Sequence, residues 1–282
     1  MSTATGLATA SDRLQRVCET TTAIAIWIVL GFLFKMTTSE YQMTGLALVL
    51  MFQVAVRRQP LRTLWVRDAD SFRLDGFGWM IALLLAVFPA FHVIQDLRAT
   101  TPLIRTLAHC AAMAGAFPAA FALRRFERAT TRALLGCMVI PGIIGIAMMW
   151  AGAFASHTVA VRTLYEKLWI GMDSFLVYVP VVFVFEEVAF RGAFDSHIHH
   201  AGDSHPWLSA LYVSVLWGLW HVPVTLANAP LPRLVLNNVL VCCIIGVPFS
   251  MWWRRSNNLA VTGVSHAFVD AVRNALLVMK LQ

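Results

Sequence analysis

Residues 171–194 read GMDSFLVYVPVVFVFEEVAFRGAF, an apolar run that holds Glu186, Glu187 and Arg191 near its end. A spanning helix takes about 20 mostly apolar residues, and an ionisable group inside one is costly and marks function by default. The stretch therefore implies a membrane protein whose chemistry lies within the bilayer. Composition agrees: 59% of the 282 residues are hydrophobic and 13% are charged, against about 45–50% and about 25% in a soluble domain. A soluble fold so composed lacks the polar surface to cover itself. Further spans are predicted at 20–37, 41–56, 76–94, 106–123, 133–155, 207–227, 234–253 and 259–279. The second is short, and no segment alternates like a membrane barrel. The predicted fold is all-α, a polytopic transmembrane helical bundle of about eight to nine spans.

The chain divides into a polar N-terminal tail at 1–19, transmembrane helices over 20–165 and a helical core over 166–282. Spans before about residue 165 carry few ionisable groups, and the three after residue 170 carry several. The net charge of +7 comes from arginine clusters between spans, which reads as topology and not as nucleic-acid binding. Arg57–Arg73, Arg124–Arg132 and Arg254–Arg255 all fall on one side if nine spans are crossed, placing the N-terminus in the cytoplasm. Five cysteines without CxxC spacing exclude a disulfide framework or a cysteine zinc site. The start is too polar for a signal peptide. Nineteen of the 22 basic residues are arginine, the usage of a GC-rich bacterial genome, so the predicted location is a bacterial cytoplasmic membrane. Ala111, Gly115 and Ala119 repeat every four positions and predict close helix packing. Trp207, Trp252 and Trp253 sit at span ends and read as interface anchors.

Three in-membrane clusters carry the candidate chemistry: Glu186-Glu187 with Arg191, Trp217 with His221, and His266 with Asp270 and Arg273. On a regular helix Glu187 and Arg191 lie ~40° apart and pair, while Glu186 lies ~140° from Arg191 and points elsewhere. Glu186 thus reads as a general base or acid and the Glu187–Arg191 pair as structural. His266 and Asp270, four apart, share a face, and Arg273 is a second partner for Asp270. Convergence of Glu186, His221 and His266 within ~8 Å, through one water, is expected. The polar Asp195–Pro206 connection is the expected mouth of that cavity; its histidines, in a solvated loop, read weakly as metal ligands.

In this order and setting the clusters resemble the CPBP family of intramembrane proteases, also called the CAAX-protease or Abi family, which includes type II CAAX prenyl endopeptidases. The resemblance rests on Glu186-Glu187 with Arg191, Trp217 before His221-Val222-Pro223, and His266 before Asp270, and it covers roughly 170–280. It implies that Glu186 and His221 activate a water, that His266 and Asp270 face the oxyanion, and that Glu187 and Arg191 hold the helix. The family more often has Asn where Asp270 stands. An ionised Asp has no proton to donate, so either burial keeps it protonated or it holds His266 as an imidazolium donor.

The implied function is an intramembrane endopeptidase acting on a membrane-associated protein or peptide, with the bilayer as its other partner and no nucleic acid. No cofactor is favoured. Glu, His, His and Asp also form a set that zinc binds, but a His-Glu-x-x-His helix is absent. The alternatives are a non-catalytic membrane immunity or scaffold protein that keeps the motifs for packing, and a transporter, which would show repeat-related halves.

Overall fold

The computed structural model describes residues 10–99, 101–155, 162–200, 202–226 and 230–276, and among them every regular element is a helix. The first half comprises α1 (Ala10–Phe34), α2 (Thr38–Met51), α3 (Gly76–Arg98), α4 (Leu103–Leu123), α5 (Arg128–Cys137) and α6 (Ile143–Ala155). The second comprises α7 (Leu164–Val182), α8 (Ser196–Ile198), α9 (Pro206–Trp220), α10 (Val222–Thr225), α11 (Leu231–Ser256) and α12 (Ala260–Leu276). Starts follow local chemistry: Thr37 with Glu40 and Thr163 with Glu166 form capping boxes that satisfy the orphan amides of α2 and α7. Asp75 caps α3 by accepting from the Gly78 amide and also pairs with Arg124 of the α4 end.

Six stretches among the described residues are long and apolar enough to cross a membrane: Ser11–Phe34, Gly76–Arg98, Leu103–Leu123, Arg128–Met148, Pro206–Thr225 and Leu231–Ser256. That is fewer than the eight or nine spans expected. The shortfall has local causes. α2 has 14 residues and α12 has 17, while α7 carries Glu166, Lys167 and Asp173. α1 begins at Ala10, inside the stretch read as a tail; the last residues of the expected 259–279 span and the end of 207–227 lie outside the described residues.

Two expected spans are broken where the chemistry lies. The 171–194 run ends its α-helix at Val182, two residues after Pro180, whose ring nitrogen offers no amide proton. The amides of Val184 and Phe185 then both donate to the Val181 carbonyl, and Trp65 Nε1 caps the Phe183 carbonyl at 2.8 Å. The chain resumes as a wide π-helical run over Val188–Asp195, a form frequent at functional sites. The 207–227 run is interrupted at His221, two residues before Pro223.

Close backbone approaches seat these breaks. A Cβ on Gly115 of α4 would stand 2.3 Å from the Pro180 carbonyl oxygen, so the small-residue stripe brings α4 against α7. A Cβ on Gly218 of α9 would meet Val239 Cα of α11 at 2.5 Å. The arginine-bearing segments gather at one end of the bundle. Arg67 donates its amide to Asn257, Asn258 reaches the Ala122 carbonyl, Arg254 pairs with Asp195, and Arg16 reaches the His197 carbonyl. Trp253 lies in this end wholly buried, donating to Ser196 Oγ at 3.0 Å, so it is a core residue and not an interface anchor. Trp207, by contrast, is exposed.

Candidate active site

Four elements bring the site together: the turn after α7, the start of the π-helical run, the α9–α10 break, and α12. Glu186 Oε2 is its centre. It lies 3.7 Å from His221 Nε2, 3.9 Å from His266 Nε2 and accepts from Trp217 Nε1 at 3.3 Å. The α9–α10 break turns His221 so that Nδ1 donates to the Trp217 carbonyl at 2.9 Å. That bond assigns the ring proton and leaves Nε2 as an acceptor facing Glu186. His221 is the most open of these side chains at 26% exposed, with Glu186 at 12% and His266 at 7%. Thr225 donates to the His221 carbonyl at 2.7 Å and accepts from Asn238 at 3.1 Å.

Glu187 and Arg191, both wholly buried, approach at 3.7 Å, an ion pair without a hydrogen bond. Because they stand in and beside a π-helical run, the expected angles around a regular helix do not apply, although the four-residue spacing still faces them. The guanidinium lies over the Trp217 ring at 4.4 Å and reaches the Gly246 carbonyl at 3.5 Å. A Cβ on Gly246 would crowd Arg191 Nη2 at 3.0 Å. Glu187 does more than pair with Arg191: its Oε1 accepts from His266 Nδ1 at 3.0 Å. His266 Nε2 also lies 3.6 Å from Asp270 Oδ2, and Asp270 Oδ1 lies 2.8 Å from Arg273 Nη1.

The expected mouth is differently built. Asp195 is fully buried against Arg254 at 2.6 Å, and His197 pairs with Glu19 at 2.7 Å, so residues 195–198 are packed onto the bundle end, while Ser204 and His205 are exposed. Burial there holds His197, His199 and His200 below the ordinary imidazole range. A further polar cluster escaped the sequence reading because its members are scattered through apolar helices. Asp96 of α3, 3% exposed, accepts from His109 of α4 at 2.6 Å and faces Arg105 at 3.3 Å, while His92 lies 3.8 Å from Asp173 of α7. Such pairing answers the cost of a buried carboxylate.

Among the described residues no group of three or more His, Cys, Asp or Glu side chains is arranged to hold a metal ion. One nitrogen of each site histidine is already committed, Nδ1 of His221 to a carbonyl and Nδ1 of His266 to Glu187.

Fold and site define an all-helical membrane protein with a carboxylate–histidine centre among its helices. Residues 167–272, which contain every residue of that centre, match the Rce1-like family, described as type II CAAX prenyl endopeptidase Rce1-like. Over that stretch the chain is similar to the CPBP/CAAX protease family, which is a family of peptidases. No curated protein and no solved structure matches the chain.

Proposed function

We propose that the protein is an intramembrane endopeptidase that hydrolyses a peptide bond of a membrane-associated protein or peptide through a water activated by Glu186 and His221. The observation that carries this reading is the meeting of His221 Nε2 and His266 Nε2 at one oxygen of Glu186, at 3.7 and 3.9 Å. A water about 2.8 Å from both Glu186 Oε2 and His221 Nε2 donates one proton toward each. As its oxygen attacks the scissile carbonyl carbon, Glu186 takes a proton and later delivers it to the leaving amine. The C–N bond breaks, and the water's second proton passes by way of His221 to the amine, leaving a carboxylate and an ammonium with atoms and charge balanced. His266, flanked by Glu187 on Nδ1 and Asp270 near Nε2, is suited to act as an imidazolium whose Nε2–H faces the oxyanion. The reading uses no cofactor.

The membrane arrangement proposed with it has nine crossings, adding α2 with 52–56, α7 with its π-helical continuation, and α12 to the six apolar stretches. The arginine-rich end then faces the cytoplasm of a bacterium, N-terminus included, which the meeting of Arg16, Arg67 and Arg254 with the 195–198 segment and Asn257 supports. The test is cleavage: purified wild-type and Glu186→Ala protein are incubated with the host's membrane peptides and the products compared. New fragments from the wild type alone support the reading; identical product sets from both proteins refute it.

A further inference from the structure

Three carboxylates surround one imidazole in this site, and a group that develops negative charge must form among them. Glu187 Oε1 lies 3.0 Å from His266 Nδ1, while Asp270 Oδ2 at 3.6 Å and Glu186 Oε2 at 3.9 Å face Nε2. An unpaired carboxylate beside a forming oxyanion opposes it, because like charges in low dielectric repel strongly. Two of the three have an arginine of their own. Arg191 faces Glu187 at 3.7 Å, and Arg273 faces Asp270 at 2.8 Å. Among the described residues Glu186 has no arginine within ion-pair distance; its polar neighbours are Trp217, His221 and His266.

Arg273 is held for this task from several sides. Its Nε and Nη2 donate to Asn274 Oδ1 at 3.2 Å each, and Nη2 reaches the Tyr178 hydroxyl of α7 at 3.4 Å. Asn274 in turn donates to Ser174 Oγ of α7 at 3.3 Å, so the α7–α12 contact fixes the guanidinium. The two Asp270 oxygens are divided by this clamp, Oδ1 toward Arg273 and Oδ2 toward His266. The other charged groups around the ring, Glu186 and Glu187, approach from outside α12.

We propose that Arg273 is a positioning residue for the hydrolysis: it neutralises Asp270 and turns its second oxygen to His266, so that Glu186 is the one carboxylate of the site without a guanidinium. This rests on the endopeptidase reading. Asp270 is then tolerable beside an oxyanion because Arg273 accompanies it, and the two residues act as one unit. Residues that share an ion pair are non-additive when replaced, and the test exploits that.

The experiment compares wild type, R273Q, R273K, D270N and the D270N/R273Q double variant in detergent, with melting temperature, kcat and KM for a cleaved membrane peptide. R273Q is expected to lower kcat about tenfold or more with KM changed less than about threefold. R273K keeps more of kcat than R273Q, and the double variant recovers most of what R273Q lost. Wild-type kcat in folded R273Q, or no recovery on adding D270N, overturns the proposal. If R273Q does not fold, the comparison moves to D270N, which leaves Arg273 unpaired and loses kcat; no gain on adding R273Q then overturns it. A second readout stands apart from proteolysis: the ¹⁵N resonances of His266 in histidine-labelled protein. They are expected to move in R273Q, or in D270N if R273Q fails to fold, and to return in the double variant, whether or not any peptide is cut. Unmoved resonances overturn the Arg273 inference, and moved resonances in a chain that cleaves nothing overturn the endopeptidase reading alone.

Discussion

Oε1 of Glu187 stands 3.0 Å from Nδ1 of His266, a contact between residues 79 apart in the chain. It ties the π-helical run to α12 and fixes which ring nitrogen of His266 faces Glu186. Glu187 is thereby both the buried partner of Arg191 and the residue that aims His266. Its neighbour Glu186 has a different environment, partly open and centred on two histidines.

The two adjacent glutamates therefore differ in what their replacement does. Glu187→Gln keeps an acceptor for His266 but leaves Arg191 buried without its countercharge, a change that costs about 3–5 kcal/mol. Its melting temperature in detergent is expected to fall clearly, with activity reduced in proportion to the folded fraction and to His266 misalignment. Glu186→Gln is expected to melt like the wild type. Equal melting temperatures for wild type and Glu187→Gln would remove the structural half of this assignment.

A second prediction concerns Gly218, three residues before His221. An added methyl would press on the Val239 backbone of α11 at 2.5 Å. Overpacking of this kind costs about 1–3 kcal/mol. Gly218→Ala is expected to lower the melting temperature and also kcat, because α9 cannot shift without carrying His221 away from Glu186. Wild-type kcat at a lowered melting temperature would show that the α9–α11 contact does not set the His221 position.

Acid should loosen the packed end of the bundle. His197, His199 and His200 are held below the ordinary imidazole value of about 6.5 by burial, with Arg16, Arg57 and Arg254 nearby adding to the effect. The unfolded chain thus binds these protons more readily than the folded one. Their contribution to stability is fully present above about pH 6.5 and is lost as pH falls toward their folded values. Thermal melts are expected to show a drop between about pH 6.5 and pH 5, smaller in a His199→Asn variant. A flat profile in that window would contradict the burial of these rings.

Much of this architecture could be read from residue types. The apolar runs marked the helices, and the three late spans with ionisable groups supplied Glu186, His221, His266 and Asp270, since bilayer burial makes such residues conspicuous. The breaks were less legible. Pro180 and Pro223 are local signals, but a proline inside an apolar run reads equally as a tolerated kink. The Glu187–His266 contact and the Asp96–His109 pair needed tertiary placement, which no spacing along one helix encodes. Trp253 misled for the same reason: its position at a span end says nothing about Ser196 packing over it.

Topology offers a further check. Single cysteines placed at Arg58, Arg132 and Arg255 in an otherwise cysteine-free chain are expected to react with a membrane-impermeant reagent only when the cytoplasmic side is opened. Labelling of any of the three from outside intact cells would break the proposed nine-crossing arrangement.

The central claim is that Glu186 activates the water, and the most direct measurement is turnover of one cleaved membrane peptide by wild type and Glu186→Gln side by side, with melts run on the same samples. Loss of a general base lowers kcat by about 10²–10⁴-fold. A fall of that size in a variant that melts with the wild type is the predicted result, and a folded Glu186→Gln protein cutting the peptide at the wild-type rate would contradict it.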